Sequence, residues 1–423
     1  MRAWLQQTAG GLPRQFWFLW VGTLINRLGS FVVLFLSIYL TVDRHFTQSQ
    51  AGLVVGLYGA GGALGTMAGG VLADRWGRRP TMLTAQFGAS ALMLALGFAH
   101  TYAQIAVVTF LLGLVAEAAR PAISAMLVDV VPDHDRVRAF SLNYWAINLG
   151  FALAAVIAGF AATLDYTLLF VVDATTTAVT AIITAMFLAE TQPVRSRTAG
   201  PAVPHGGLGA ALKDRVFLVY LVLTFMSVLV VMQHLSMLPL SMLADGLTAS
   251  TYGTVIAVNG VLIVAGQLFV PRLIQGRDSS RVLAVATLLI GAGFGLVALA
   301  ETPIVYGLTV VVWTLGEMLQ SPSNATTVAM LSPSALRGRY QGLNSLAWQL
   351  GSALAPVLGG AILQHGGDVV LWVGSFALCA LAAVGHLLAG PARARRSEQR
   401  NAAMLRAADD LAEAGVAAER KSS

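Results

Sequence analysis

The chain of 423 residues has a single cysteine, Cys379. A disulfide within the chain is excluded, and so is a cysteine-based metal site. Charge is scarce as well. Only 11% of residues are Asp, Glu, Lys or Arg, against about 25% in an ordinary soluble protein. Amphipathic soluble domains cannot be built from so few charges. Signatures of driven or hydrolytic chemistry are also missing: there is no G-x-x-x-x-G-K-[ST] phosphate loop, no H-E-x-x-H and no G-x-S-x-G. A nucleotide-driven pump and an intramembrane hydrolase lose their sequence basis. No metal, no cofactor and no enzymatic activity are expected.

What the sequence has is apolar length. Hydrophobic residues make up 57% of it. A membrane helix needs about 20 mostly apolar residues, and twelve such runs can be placed, near 16–40, 50–73, 80–99, 103–130, 139–162, 167–189, 216–240, 251–270, 282–300, 304–331, 339–363 and 369–390. The first run is long and leads into more of the same, so it is read as a span and not as a cleavable signal. The connections are short except at 190–215, which holds Pro193, Pro201, Pro204, Gly206 and Gly207. The predicted architecture is an all-α integral membrane protein of twelve transmembrane helices in two pseudo-symmetric six-helix bundles. Its parts are an N-terminal bundle over 1–190, a linker over 191–215, a C-terminal bundle over 216–390 and a tail over 391–423.

The pI of about 9.8 could suggest nucleic acid, but the basic residues lie in short loops and the tail. They alternate between connections. With the N-terminus inside, 23 of the 26 Lys and Arg residues fall on the cytoplasmic side; only Arg44 is outside, and Arg27 and Arg120 are within spans. That asymmetry predicts cytoplasmic N- and C-termini in a cell inner (plasma) membrane. The arginines at the start of the tail, Arg393, Arg395 and Arg396, are suited to anionic lipid. Membrane lipid is therefore an expected partner and nucleic acid is not.

The halves repeat. Arg138–Gly150 reads RAFSLNYWAINLG and Arg339–Gly351 reads RYQGLNSLAWQLG. At a constant offset of 201 they share Arg138/Arg339, Leu142/Leu343, Asn143/Asn344, Ala146/Ala347, Leu149/Leu350 and Gly150/Gly351. Upstream, Glu117 and Glu317 lie 200 apart, and a proline follows each, Pro121 and Pro322. Parallel six-helix repeats with a site at their interface are a known transporter plan.

The connection after the second span reads GVLADRWGRRP, Gly70 to Pro80. It resembles the conserved cytoplasmic loop motif of the major facilitator superfamily, G-x-L-A-D-R-x-G-R-(K/R), at Gly70, Leu72, Ala73, Asp74, Arg75, Gly77, Arg78 and Arg79. Gly70 is expected to permit close helix approach, Asp74 to sit at a helix end, and Gly77 to permit a turn. More narrowly, LNYWAINL (Leu142–Leu149) and WTLGEMLQSPS (Trp313–Ser323) resemble the proton-coupled multidrug efflux antiporters of that superfamily. The fifth span departs from their pattern: it has Gly150 and Gly159 without the expected proline, and a similar run with Pro356, Gly359 and Gly360 stands in the eleventh. The resemblance implies alternating access through a cavity lined by helices one, four, seven and ten. It implies proton-coupled efflux of small lipophilic or cationic compounds by a monomer whose partners are substrate and protons. Uptake of a small polar solute by symport is the alternative, and a non-transporting sensor or scaffold the reading from another class.

Six ionisable residues fall within the predicted spans: Arg27, Glu117, Arg120, Asp129, Asp173 and Glu317. Each is costly there, by about 2.5–3.5 kcal/mol for residues such as Arg and Asp at mid-depth. Glu117 and Arg120 share a helix face. With Arg27 they form either a structural charge cluster or a functional one. Glu317 is the one carboxylate expected at depth in the second half, with no cation in the spans around it. It can carry a proton or accept a cation, so Glu317, then Glu117 with Arg27 and Arg120, are the candidate coupling residues. Asp129 is expected to form an ion-pair lock on the gate with Arg75, Arg78 and Arg79. Asp173 reads as a structural partner. Asn143, His234, Trp313 and Asn344 are the candidate cavity-lining residues. Gln233, Trp145 and Trp348 are weaker candidates, since such residues also serve as ordinary packing.

Overall fold

The structure is a computed structural model, described here for residues 10–191, 211–267, 269–333 and 336–422. Most of the predicted linker, 192–210, lies outside the described residues. Twelve helices cross the molecule. In chain order they are α1 (Arg14–Leu28 and Phe31–Ile38), α2 (Gln48–Arg75), α3 (Arg78–Gly97), α4 (Tyr102–Val130), α5 (Arg136–Ala162) and α6 (Tyr166–Phe187). The second set is α7 (Arg215–Val231, Gln233–Ser236 and Leu238–Ala244), α8 (Ala249–Gly266), α9 (Ser279–Leu296) and α10 (Pro303–Leu331). The helical run Arg337–Ser422 completes it, divided at Gly367 (φ 78°) into α11 and α12. Helices satisfy every backbone group internally, which a lipid environment demands.

The helices begin where the sequence supplies caps. Thr47 and Thr101 form capping boxes with Gln50 and Gln104 at the starts of α2 and α4. Thr248, Thr302 and Asp278 cap α8, α10 and α9. Small residues then let the helices approach. A Cβ on Gly61, Gly65 or Gly69 of α2 would lie 2.0–2.1 Å from carbonyl oxygens of α4.

Two spans are less regular than hydropathy predicts. α1 breaks at Gly29 and Ser30, and the restarted segment is capped from a distance: Asp173 Oδ2 on α6 accepts from Val32 N–H at 3.1 Å. Asp173 is 1% exposed, so the buried carboxylate is spent on a break in another helix. α7 is interrupted at Met232 and Met237. The helix runs on from α12 through the tail to Ser422.

The halves meet along α2 with α11 and along α5 with α8. A Cβ on Gly52 would lie 2.2 Å from Pro356 O, and one on Gly253 would lie 2.2 Å from Ala155 O. Ser49 N–H donates to Gln364 Oε1 at 3.0 Å, and deeper along the same seam Gln349 Nε2 donates to Thr66 Oγ1 at 3.1 Å. Phe35 of α1 packs edge-on against Tyr252 of α8 at 5.5 Å. Apart from the Gln349–Thr66 bond, which lies near mid-depth, these contacts lie toward the end of the molecule opposite the arginine-rich connections, and that end is closed.

Candidate functional site

At the arginine-rich end the 70–80 connection is a compact charge arrangement. Gly77 has φ 114°, a backbone conformation open chiefly to glycine. The turn delivers the first N–H groups of α3, from Arg78 and Arg79, to Glu190 Oε1 and Oε2 at 2.9 and 3.0 Å. A Cβ at Gly77 would collide with that carboxylate. Arg78 is 8% exposed. Its Nε meets Asp129 Oδ2 at 3.1 Å and its Nη1 donates to Ala73 O at 2.9 Å. Asp129 also accepts from Thr191 Oγ1 at 3.0 Å, and Arg79 Nη2 donates to Ala185 O. Of the three arginines considered for Asp129, the partner shown is Arg78.

One motif residue stands differently from expectation, and Asp74 sits at the end of α2 as expected. A Cβ on Gly70 would meet nothing within 4 Å, whereas one on Gly69 would lie 2.1 Å from Ala118 O. The close approach belongs to Gly69, one residue earlier, because that position faces α4. Asp74 pairs with Arg78 at 3.5 Å, and its side chain is 77% exposed.

In the middle of the first bundle Arg120 Nε meets Glu117 Oε2 at 3.0 Å. Glu117 packs against Gly62 of α2. Arg27 is close enough to feel the charges of Arg120, Glu117 and Asp173, yet no ion pair within 4.0 Å joins it to either carboxylate. The three-residue cluster is thus one pair with a neighbouring cation.

In the second bundle Glu317 Oε2 accepts from Asn259 Nδ2 at 2.9 Å, and the same amide reaches Thr314 Oγ1 at 3.1 Å. No ion pair forms at Glu317 among the described residues. Across the seam, Tyr144 of α5 is close enough to feel its charge. Asn259 was missed in the sequence, where a lone amide in an apolar run carries no charge to flag it.

The aromatic candidates are mostly packing. Trp313 is fully buried between His234, at 5.5 Å, and Phe294, at 5.4 Å. It fills the second bundle and does not line open space in this conformation. His234 is held by its own helix, with Nδ1 close to Val231 O. Gln233 donates to Ala355 O at 2.9 Å, and Trp145 stacks on Trp20. Asn143, Asn344 and Trp348 are partly exposed, and Asn344 Oδ1 is buried without a partner. No metal-binding group of His, Cys, Asp and Glu occurs among the described residues.

The profile of the Major Facilitator Superfamily matches residues 19–356. The chain belongs to the major facilitator superfamily. It is 26% identical over 361 residues to the uncharacterized MFS-type transporter YqjV of Bacillus subtilis (strain 168), covering 82% of this chain and 86% of that one. Multidrug resistance protein MdtH of Enterobacter sp. (strain 638) is 26% identical over 83% of this chain and 87% of its own. A Na(+), Li(+), K(+)/H(+) antiporter of Planococcus maritimus is 23% identical over 76% and 83%. Among solved structures, a POT family transporter in complex with 5-aminolevulinic acid superposes with a TM-score of 0.79 at 15% identity, over 92% of this chain and 98% of that one. The nucleoside transporter NupG gives 0.75 at 15%, over 89% and 99%. These two establish the fold. The chain is a membrane-embedded transporter of this superfamily, with twelve transmembrane helices.

Proposed function

We propose that the protein exports small lipophilic or cationic compounds in exchange for protons, by alternating access. The observation that carries this reading is Glu317, a carboxylate deep in the second bundle with an amide for a partner and no ion pair among the described residues. Exchange needs a group that proton and cationic substrate cannot occupy together. Protonation discharges Glu317, and a bound cation replaces the proton. Glu117, already paired with Arg120, is the second coupling residue, with Arg27 beside it. The multidrug resistance and cation/proton antiporter names of the distant relatives support the same class.

The distribution of Lys and Arg supports an inner (plasma) membrane location with both termini cytoplasmic. On that orientation the closed end is the outer one, and the conformation is open to the cytoplasm. The bundles are the domains, 1–190 and 216–390, joined by the 191–215 linker and followed by the 391–423 tail. The protein acts as a monomer without a cofactor. When the inner side closes, the charges of the 70–80 connection keep the Asp129 pair and Asp74 engages the start of α11.

The experiment is transport in proteoliposomes under an imposed pH gradient, with a panel of lipophilic cations, sugars and peptides. Accumulation of a lipophilic cation against an opposed proton flux supports export. Proton-driven uptake of a neutral polar solute alone would replace it with symport, and no flux of any substrate would leave a sensor or scaffold.

A further inference from the structure

The first helical residues of α3 and α9, Arg78 and Ser279, lie 201 apart, the offset that relates the two halves of the sequence. Their starts are served differently. At α3, the Glu190 carboxylate from the end of α6 takes the N–H groups of Arg78 and Arg79. Negative charge is favoured there, because the N–H groups lack helical acceptors and the helix dipole is positive. Asp129 of α4 adds a second carboxylate, on buried Arg78. Neither has a counterpart at α9. The position 201 after Glu190 is Pro391, and those 200 and 201 after Asp129 are Ala329 and Met330.

In their place is a pocket of about 290 Å³, with Arg277, Ser279, Ser280, Met330 and Arg393 on its wall. Arg393 comes from α12 and is 1% exposed. Its Nη1 donates to Ser280 Oγ at 3.4 Å and to His386 Nδ1 at 3.2 Å, and its guanidinium lies over the Tyr220 ring. Nε and Nη2, the side-on pair of the guanidinium, are buried with no acceptor. The N–H groups of Ser279 and Ser280 have no acceptor among the described residues either. Two acidic residues also border the pocket, Asp278 and Glu398. Asp278 is committed, since its Oδ1 caps α9 at Arg281 N–H, 2.8 Å away. Glu398 is exposed and pairs with neither arginine. A buried guanidinium with unmet N–H groups carries an uncompensated desolvation cost.

We propose that this pocket binds a phosphate-type anion, held by Arg393, Arg277 and the N-terminus of α9. The bound anion does in the second bundle what Glu190 and Asp129 do in the first. A planar guanidinium presenting parallel N–H groups matches a tetrahedral oxyanion, and a helix N-terminus completes the cradle. The pocket lies at the arginine-rich end of the spans. A phospholipid headgroup and free phosphate both offer this chemistry there.

The test uses full-length protein, delipidated in neutral detergent. Native mass spectrometry and thermal unfolding are followed with added phosphatidylglycerol, inorganic phosphate or diacylglycerol. Phosphatidylglycerol is expected to bind and raise the unfolding temperature, and diacylglycerol is not. An equal effect of inorganic phosphate assigns the site to the phosphate group itself; protection by the lipid alone assigns it to a headgroup. Ser279→Asp places a carboxylate at the start of α9, as Glu190 does at α3. It should weaken phosphatidylglycerol binding by about ten-fold or more, as expected for an ionic hydrogen-bonded contact, while unfolding no lower than wild type. Arg277→Gln, on the accessible side of the pocket, should weaken it several-fold and serves if Arg393→Gln does not fold. Binding unchanged in both Ser279→Asp and Arg277→Gln, or diacylglycerol retained equally well, overturns the proposal.

Discussion

Asn259 of α8 donates through Nδ2 to Glu317 Oε2 of α10 at 2.9 Å, and through the same nitrogen to Thr314 Oγ1 at 3.1 Å. The contrast with the first bundle is chemical. Glu117, at the matching place in α4, has the Arg120 guanidinium at 3.0 Å. An amide supplies one hydrogen bond and no charge. Of two repeat-related glutamates, one is committed to an ion pair and the other is available to exchange partners.

The seam of small residues should control which end is closed. Gly52 meets Pro356 O across the halves, where a Cβ would lie 2.2 Å away. Gly52→Val cannot keep that contact, so it should shift the population toward the conformation open at the opposite end. Electron–electron distance measurements between α2 and α11 at that end should show a longer component, with folding intact. A distribution identical to wild type would contradict this.

Asp74 is exposed, and the ion pair it makes here is a long one with Arg78, at 3.5 Å. A residue that matters in the other conformation should have little influence on the stability of this one. Asp74→Asn is expected to lower transport turnover several-fold while changing the unfolding free energy by less than about 0.5 kcal/mol, as for an exposed pair. Unchanged turnover, together with unchanged distance distributions, would remove Asp74 from the switch.

Asp173 should behave as a structural residue. It is buried and accepts the Val32 N–H at the break in α1. Asp173→Ala leaves that donor unmet and should cost about 1–3 kcal/mol, the price of an unsatisfied buried group. The readout is a lower unfolding temperature in detergent. A variant as stable as wild type would show that the break does not depend on the cap.

A pH signature is expected at the start of α7. Burial opposes ionisation of Asp214, but donation from Arg396, from Tyr340 Oη at 2.7 Å and from Phe217 N–H at 3.2 Å holds its carboxyl below the usual range. With the folded pKa depressed, its contribution to stability is fully present above the unfolded value of about 3.9. It is lost as pH falls through the lower folded value. Wild type and Asp214→Asn should therefore differ in unfolding temperature at pH 6 and converge toward pH 3. A constant difference across that range would contradict the assignment.

Much of the architecture was legible in the sequence. Apolar length placed twelve spans, and the 201-residue offset with the 70–80 motif indicated two bundles and the superfamily. The site was legible only where charge stood out. Glu317 and Glu117 were visible because a charge in an apolar run is expensive, and Arg78 because it stands in the 70–80 motif. Asn259 was not, since a neutral amide carries no such mark. The break in α1 was hidden as well, because Gly29 and Ser30 look like ordinary small membrane residues until Asp173 is seen across from them. Arg393 was read as tail because it follows the last apolar run, yet α12 continues and buries it against Tyr220.

The central claim, that Glu317 is where proton and substrate exclude each other, is tested most directly in proteoliposomes carrying Glu317→Gln. The glutamine keeps the shape of the protonated acid and cannot release a proton. Under an imposed pH gradient, transport of a lipophilic cation should fall to the level of empty vesicles, and binding of that cation should lose its pH dependence. Wild-type rates of proton-driven cation transport in Glu317→Gln would contradict the account.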